Sequence, residues 1–374
     1  MTTHWKDIVG FDRGFSVQAD VITQSIDGVS LNLLWEEFIE AQSLWNETRN
    51  SVAALFTFNT TESNDVIRLD GTASDFERAS EFGAPKTLRA PLDGYHVGFP
   101  FDWWDGRVGF TKRFLRNANA VQIREQHLAA LAADNHLLFR EIMTAISTPI
   151  QPTRWKNAEG ADIYSLYAGA SDDRPPTYLG KTFSANHNHF FVSGATAIDG
   201  QDLADLIESV QEHGHGLRDS NDRIVIYVHP DEAKVIRGFR AGVAGSPWDF
   251  IPATDAPAYL TDQTIVGEAP GPQFHGLPIF GSYGDALLTE SYLMPSKYVI
   301  ALATGGPGSR RNPLAFREHR QAESRGLLLQ PGTERYPLVG ATYERGFGVA
   351  VRNRGAAAVM QIKASGSFQA PIFP

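Results

Sequence analysis

The 374-residue chain contains no cysteine. That excludes disulfides and thiolate metal sites, so any covalent staple would need other chemistry. A basic surplus is also missing: 33 Lys and Arg stand against 43 Asp and Glu, a formal net charge of −10. This balance argues against a dedicated nucleic-acid binder and leaves room only for local basic patches. No stretch approaches the ~18 apolar residues of a membrane span. The opening MTTHWKDIVGFDRG has no basic region followed by an apolar run, so no signal peptide is expected and synthesis is expected in the cytosol. Internal repeats and low-complexity tracts are absent. So are G-x-S-x-G, H-E-x-x-H and G-x-x-x-x-G-K-[ST], and no triad can be assembled from scattered Ser, His and Asp.

What is present is a globular composition, 42% hydrophobic and 20% charged, long enough for two or three domains. The 23 Phe and 7 Trp supply aromatic surface for a core and for large interfaces alike.

Residues 1–30 read as an extended arm. A helix is expected over 32–56, with Asn32 as N-cap and Leu34, Phe38, Ala41 and Trp45 on one face. Residues 59–111 are rich in Gly, Pro, Asp and Thr yet carry Tyr95, Phe99, Phe101, Trp103, Trp104 and Phe110. A structureless loop of that length is unusual, so the alternation from Tyr95 onward predicts a long two-stranded excursion. An isolated hairpin is marginal in water, and its aromatics would need a partner surface. From Phe110 to Thr148 there is neither Gly nor Pro. A helix of ~28 residues, roughly 40 Å long, is expected there, with Val121, Leu128, Leu131, Leu138, Ile142 and Ile146 on one face and Pro149 as its stop. Residues 150–190 are loop-like. A second helix is capped by Asp199, striped by Leu203, Leu206, Ile207 and Val210, and ended by Gly214. RIVIYV reads as a buried strand, followed by a helix with Pro230 in its first turn and Asp231 and Glu232 beside it. After an irregular 241–275, short strands follow. The stretch from Gly346 to Ile362 reads as a small-residue hairpin turning at Arg354-Gly355.

His187 with His189, and His213 with His215, are the most metal-like pairs, since two His at i, i+2 on a strand share a face. No carboxylate sits at a matching spacing. They are therefore read as polar loop histidines and as cations suited to a helix C-terminus, with no metal, cofactor or catalytic residue assigned. ATGGPGSRRNP only loosely resembles a phosphate loop and is read as a plain loop. Arg310, Arg311, Arg317, Arg320 and Arg325, against Glu318 and Glu323, form either a surface facing nucleic acid or a neighbouring subunit, or a self-paired solvated segment. Trp103 and Trp104 suit a ligand-stacking platform or, on a long hairpin, docking onto a neighbour. Trp35 and Trp45 share the same ambiguity between own core and neighbour.

In its order of segments, and in LWEEFIEAQSLWNETR, FERASEFGAP, ADNHLLFREIM, EHGHG, FRA, LATGG, NPLAFREH and YPLVGATYERGFGVAVRNRGAAAVMQIKASGS, the chain resembles the major capsid proteins of tailed double-stranded DNA bacteriophages. These have the Hong Kong 97-like fold, and the likeness is closest to capsid proteins of phages infecting actinobacteria such as mycobacteria. It runs along nearly the whole chain. The resemblance implies an α+β fold: an N-arm and helix over 1–58 and an extended loop over 59–113 lying on a neighbouring subunit. A peripheral domain would comprise 114–190 and 320–374, with a spine helix over 117–147 and strands over 346–363. An α/β axial domain would span 191–319. Small residues Gly348, Ala350, Ala356 and Ala358 would let the spine helix lie close on the terminal strands, leaving Arg352, Arg354, Gln361 and Lys363 outward.

It further implies a non-enzymatic shell protein that assembles as hexamers and pentamers around DNA held non-specifically. The candidate inter-subunit contacts are Trp35, Phe38, Trp45, Tyr95, Phe99, Phe101, Trp103, Trp104, Arg107, Arg310, Arg311, Arg317 and Arg320. Portal protein, and scaffolding or decoration proteins, are expected partners; a membrane is not. The expected location is the virion, after synthesis in the host cytoplasm. Some members join subunits by a Lys–Asn bond; Lys86 and Lys112 lie in the projecting region without a recognisable partner, so no cross-link is expected. An encapsulin of the same fold and, more remotely, a histidine-dependent metalloenzyme are the alternatives.

Overall fold

Asp199 starts a helix with a complete capping box. Its carboxylate accepts from the Asp202 backbone N–H at 2.9 Å, and the Asp202 carboxylate accepts from the Asp199 N–H at 3.0 Å. This reciprocal pair satisfies two otherwise orphaned donors. The structure is a computed structural model describing residues 22–68, 94–150, 155–170, 173–217, 222–243, 245–255, 267–331 and 340–374, together with 76, 78, 79, 81, 83 and 219. Its helices are α1 (Leu31–Ala53), α2 (Lys112–Asn117), α3 (Ala120–Ser147), α4 (Gly200–Gln211) and α5 (Pro230–Ile236). Its strands begin with β1 (Thr57–Thr60), β2 (Asn64–Arg68), β3 (Gly94–Gly98), β4 (Asp102–Gly109), β5 (Phe190–Val192), β6 (Arg223–Val228) and β7 (Phe250–Pro252). Then come β8 (Gln273–Phe274), β9 (Leu277–Pro278), β10 (Gly281–Tyr283), β11 (Ala286–Glu290) and β12 (Tyr298–Thr304). The last are β13 (Leu314–Glu318), β14 (Leu327–Pro331), β15 (Gly340–Val351) and β16 (Ala357–Gln361).

The described residues form two compact units: 22–44, 105–132, 328–331 and 340–344 make one, and the remainder the other. The larger unit is built on a seven-stranded mixed sheet in the order β5-β16-β12-β6-β11-β10-β7. Its central strands are apolar on both faces, the mark of a sheet covered on both sides. Ile224, Ile226 and Val228 of β6, Val299 and Ala301 of β12, and Ala358 and Met360 of β16 face Leu203, Leu206, Ile207 and Val210 of α4. The alternate residues Val225, Tyr227, Ile300, Leu302, Ala357 and Val359 meet Ile142, Met143 and Ile146 of α3. The result is three layers, with both sheet faces contributing burial at ~25 cal/mol per Å². β1 pairs in parallel with β13, and β13 antiparallel with β15; β15 also pairs with β14 and β4. Asn312 knits the loop before β13: its amide donates to the carbonyls of Ala54, Thr57 and Gly306 at 2.9–3.0 Å, and its oxygen accepts from Gly305 N–H. The segment 303–313 is thus a well-tethered turn.

The smaller unit buries Leu31, Leu34 and Phe38 of α1 with Phe110, Leu115 and Ile123. The Asp27 carboxylate accepts from the Ala120 N–H, and Asn119 and Gln122 cap α3 reciprocally.

Several expectations are corrected. α1 begins at Leu31, so Asn32 sits inside the first turn, and Gln42 rather than Ala41 turns inward. The long helical signal breaks at Ala118–Asn119, where Asn119 restarts it. Ile123 and His127 replace Val121 and Leu128 on the buried face; the latter two are exposed because the stripe drifts around the helix over that length. β15 and β16 do not form a hairpin. β15 lies in the five-stranded sheet and β16 between β5 and β12 in the seven-stranded one, so the chain changes sheets at Arg354-Gly355. Gly348 makes room for the Pro100 backbone and not for a helix, while Ala356 and Ala358 lie under α4 and not under the spine helix. Arg354 and Gln361 are buried rather than outward.

Candidate inter-subunit surface

β4 separates its two adjacent tryptophans by strand alternation. Trp104 turns inward beside Leu138, Phe316 and Phe347, with the Arg140 guanidinium 5.7 Å from its ring centroid. Trp103 turns outward and stays 47% exposed. Its ring meets Phe101 edge-on at 5.4 Å and the His319 ring at 5.7 Å. Gly346 lies beneath it, where a Cβ would come within 2.6 Å of the indole. Glycine at 346 therefore leaves the indole its place against β15. An exposed, backed aromatic platform results, the kind of anchor that carries interface energy.

The other aromatic candidates are committed within the chain. Phe38 stacks on His127 at 4.3 Å in the smaller unit's core, and Phe99 is buried with Phe58, Val97 and Ile163. Both are corrected from the contact set, because a side chain enclosed by its own subunit has no surface left for another. Tyr95 packs edge-on against Tyr164 at 5.1 Å. Trp35 packs partly buried against the α1 core, and the Trp45 indole N–H donates to Asp134 at 2.9 Å.

The arginine-rich segment is largely self-paired. Arg311 forms a forked pair with the buried Asp222 and donates to the Gly214 carbonyl. Arg317 bonds Glu159 at 2.6 Å and the Phe99 carbonyl at 2.8 Å, and Arg325 donates to the carbonyls of His319 and Arg320. The Arg311 and Arg317 guanidiniums both hold their surroundings together; Arg317 is only 14% exposed and is removed from the free surface, whereas Arg311 is paired yet stays 48% exposed. Arg310 and Arg320 remain mostly exposed, each with one loose partner, Asp65 at 3.6 Å and Glu62 at 3.8 Å. Exposed pairs at such distances contribute little to the fold. Arg107 is exposed on the part of β4 that belongs to the smaller unit. Tyr292, not among the sequence candidates, is 83% exposed in the turn after β11. Its only sequence signal was an aromatic inside SYLMP.

The histidines depart furthest from expectation. His187, His189 and His213, read as unrelated loop and helix-end residues, converge on one point, with His215 outside the group. Burial lowers all three imidazoles, His213 to about 2 and His189 to about 3. They are neutral at physiological pH.

Neither a family model nor a curated protein sequence matches the chain. Among solved structures, it is similar to one described as Mycobacterium phage Patience, at 33% identity over 96% of each chain with a TM-score of 0.68. It is also similar to the capsid of an empty GTA particle, at 13% identity, 84% of this chain and 90% of that one, TM-score 0.43. A third likeness is to the holo-SrpI encapsulin complex of Synechococcus elongatus PCC 7942, at 13% identity over 86% and 90%, TM-score 0.44.

Proposed function

The chain belongs to the major capsid proteins of tailed phages with the Hong Kong 97-like fold, and from that premise we propose that its copies form hexamers and pentamers closing into an icosahedral head around double-stranded DNA. It is a shell protein of the virion whose principal partner is itself. The single observation that carries this is the one-third identity sustained along nearly the whole chain. A likeness spread over every element points to a shared assembly and not to a shared local site.

In this reading Trp103, exposed on its glycine seat, is the anchor that docks onto a neighbouring subunit; most of the 69–93 part of the expected extended loop lies outside the described residues. Arg107, Arg310, Arg311 and Arg320, the exposed cations of the candidate set, supply polar rim contacts around such anchors. DNA is held without sequence preference, and a net charge of −10 suits a shell into which the genome must slide during packaging rather than stick. Portal, scaffolding and decoration proteins complete the head, after synthesis in the host cytoplasm. The chain carries no chemistry of its own in assembly.

Negative-stain electron microscopy of the purified protein, with its mass by light scattering, tests this. Closed shells or ring-shaped capsomers are the expected result. A monomer or dimer at all salt and protein concentrations, persisting when the neighbouring head genes are co-expressed, would overturn it.

A further inference from the structure

The Nε2 atoms of His187, His189 and His213 form a nearly equilateral triangle with edges of 2.9, 3.0 and 3.0 Å. No arrangement of protons satisfies such a triangle. The Nδ1 of His189 lies 2.6 Å from the Ala357 carbonyl; a carbonyl only accepts, so this nitrogen carries the proton and the His189 Nε2 presents a lone pair. If one of the other two Nε2 atoms carries a proton, it can be directed at its neighbours, but the remaining pair then faces lone pair to lone pair. If both carry one, two N–H groups oppose each other. A charge on any of these rings would sit in a site where His189 is fully buried and His187 and His213 are at least partly so.

A cation shared by the three Nε2 lone pairs resolves all three contacts at once. Three neutral imidazoles are a donor set for borderline divalent ions. Zn–N bonds of ~2.0–2.1 Å in tetrahedral geometry place ligand nitrogens about 3.3 Å apart, within a few tenths of an ångström of the edges seen. The outer shell is also in place. The His189 Nδ1–H···O=C bond fixes tautomer and ring orientation, as second-shell partners of metal-bound histidines do. Phe183 stacks on His213 at 4.2 Å and Tyr167 at 5.8 Å, and both rings are nearly buried, making an apolar wall. Gly355 admits the His213 ring: a Cβ there would come within 2.6 Å of His213 Cγ.

We propose that His187, His189 and His213 form a binding site for one divalent transition-metal ion, of which Zn²⁺ is the best fit, with a fourth position left to water. The ion ties the segment before β5 to the turn that follows α4, beside the point where the chain passes from β15 to β16. In a chain without cysteine, this is the staple that thiol chemistry cannot provide. It strengthens the individual subunit and stands independently of the shell reading.

The protein is stripped with a chelator and titrated with Zn²⁺ by calorimetry and with Co²⁺ by visible absorption. About one ion per chain is expected, with the intense d–d bands of a low-symmetry four-coordinate Co²⁺ site and a raised thermal midpoint in Zn²⁺. His187→Gln, at the half-buried corner, should weaken binding at least tenfold while keeping the circular dichroism spectrum. His213→Gln should do the same, whereas His136→Ala, on the exposed face of α3, should bind like the parent. Substoichiometric metal in the parent protein, or His187→Gln and His213→Gln both binding as tightly as His136→Ala, would overturn the proposal.

Discussion

Arg345 and Asp134 form an ion pair of 2.8 Å in which each side chain is only 2% exposed. Asp134 accepts a second bond from the Trp45 indole, and the Arg345 guanidinium lies 5.8 Å from the Phe347 ring centroid. The pair thus ties α3, β15 and α1 residues of the larger unit to one buried carboxylate. Removing one partner strands a charge in a low-dielectric site, which costs more than the intact pair contributes. Arg345→Met should lower stability by about 3–5 kcal/mol, read as a fall in the urea midpoint at constant slope. Adding Asp134→Leu should recover more than half of it. A single-variant loss below about 1 kcal/mol would mean that water reaches the pair.

Trp103 and Trp104 should behave oppositely despite being adjacent. Trp103→Ala should leave the monomer's unfolding midpoint nearly unchanged and abolish shells and capsomers in electron micrographs. Trp104→Ala should destabilise the monomer by about 2 kcal/mol, less than a fully buried aromatic would. Normal shell yield with Trp103→Ala would remove that residue from the interface.

Gly348 is needed for space. A Cβ at that position would lie 1.9 Å from the Pro100 carbonyl oxygen, and backbone cannot move aside as a side chain can. Gly348→Ala should cost roughly 1–3 kcal/mol. Gly106→Ala, where a Cβ meets nothing within 4 Å, should change stability by no more than about 0.5 kcal/mol. Equal thermal midpoints for the two variants would show that β15 shifts freely past residue 100.

Asp202 carries a pH dependence opposite to that of most carboxylates. Burial lifts its carboxyl from 3.8 to about 6, against the lowering effect of the Asp199 N–H bond. Between those values the folded chain holds a proton that the unfolded chain has released. Its contribution is therefore full below about pH 4 and is lost as pH rises through about 6. Asp202→Asn removes that slope. The variant and parent should have similar stability near pH 4, and the variant should gain on the order of 2 kcal/mol relative to the parent by pH 7. A constant difference across chemical denaturations from pH 4 to 7 would refute the assignment.

Local signals in the sequence carried a large part of the fold. The helix from Gly200, the buried strand Arg223–Val228 and the Pro230 helix start were legible because caps, proline and apolar periodicity act within a few residues of chain. The long helical signal was legible as a helix but not in its details. Its break at Asn119 depends on side-chain caps supplied partly from Asp27, and its buried face is set by what lies against it. The terminal stretch was misread for a physical reason. Alternation shows that a segment is a strand but not which strand it joins, and a two-residue turn between strands is equally compatible with one sheet or two.

The same division holds for the sites. The chain's residues alone determined that there would be no thiol chemistry, that aromatics would be plentiful and that the net charge would be acidic; their order along the chain carried the likeness to shell proteins. Tertiary structure decided which side chains remain available. It enclosed Phe38 and Phe99, drew Arg317 into an internal pair, and left Trp103 on a glycine seat. It also brought His213 to His187 and His189 across more than twenty residues of chain. Spacing along a chain constrains only near neighbours, whereas a donor triangle needs three directions in space, and those are set by the packing of α4 and β5 on one sheet.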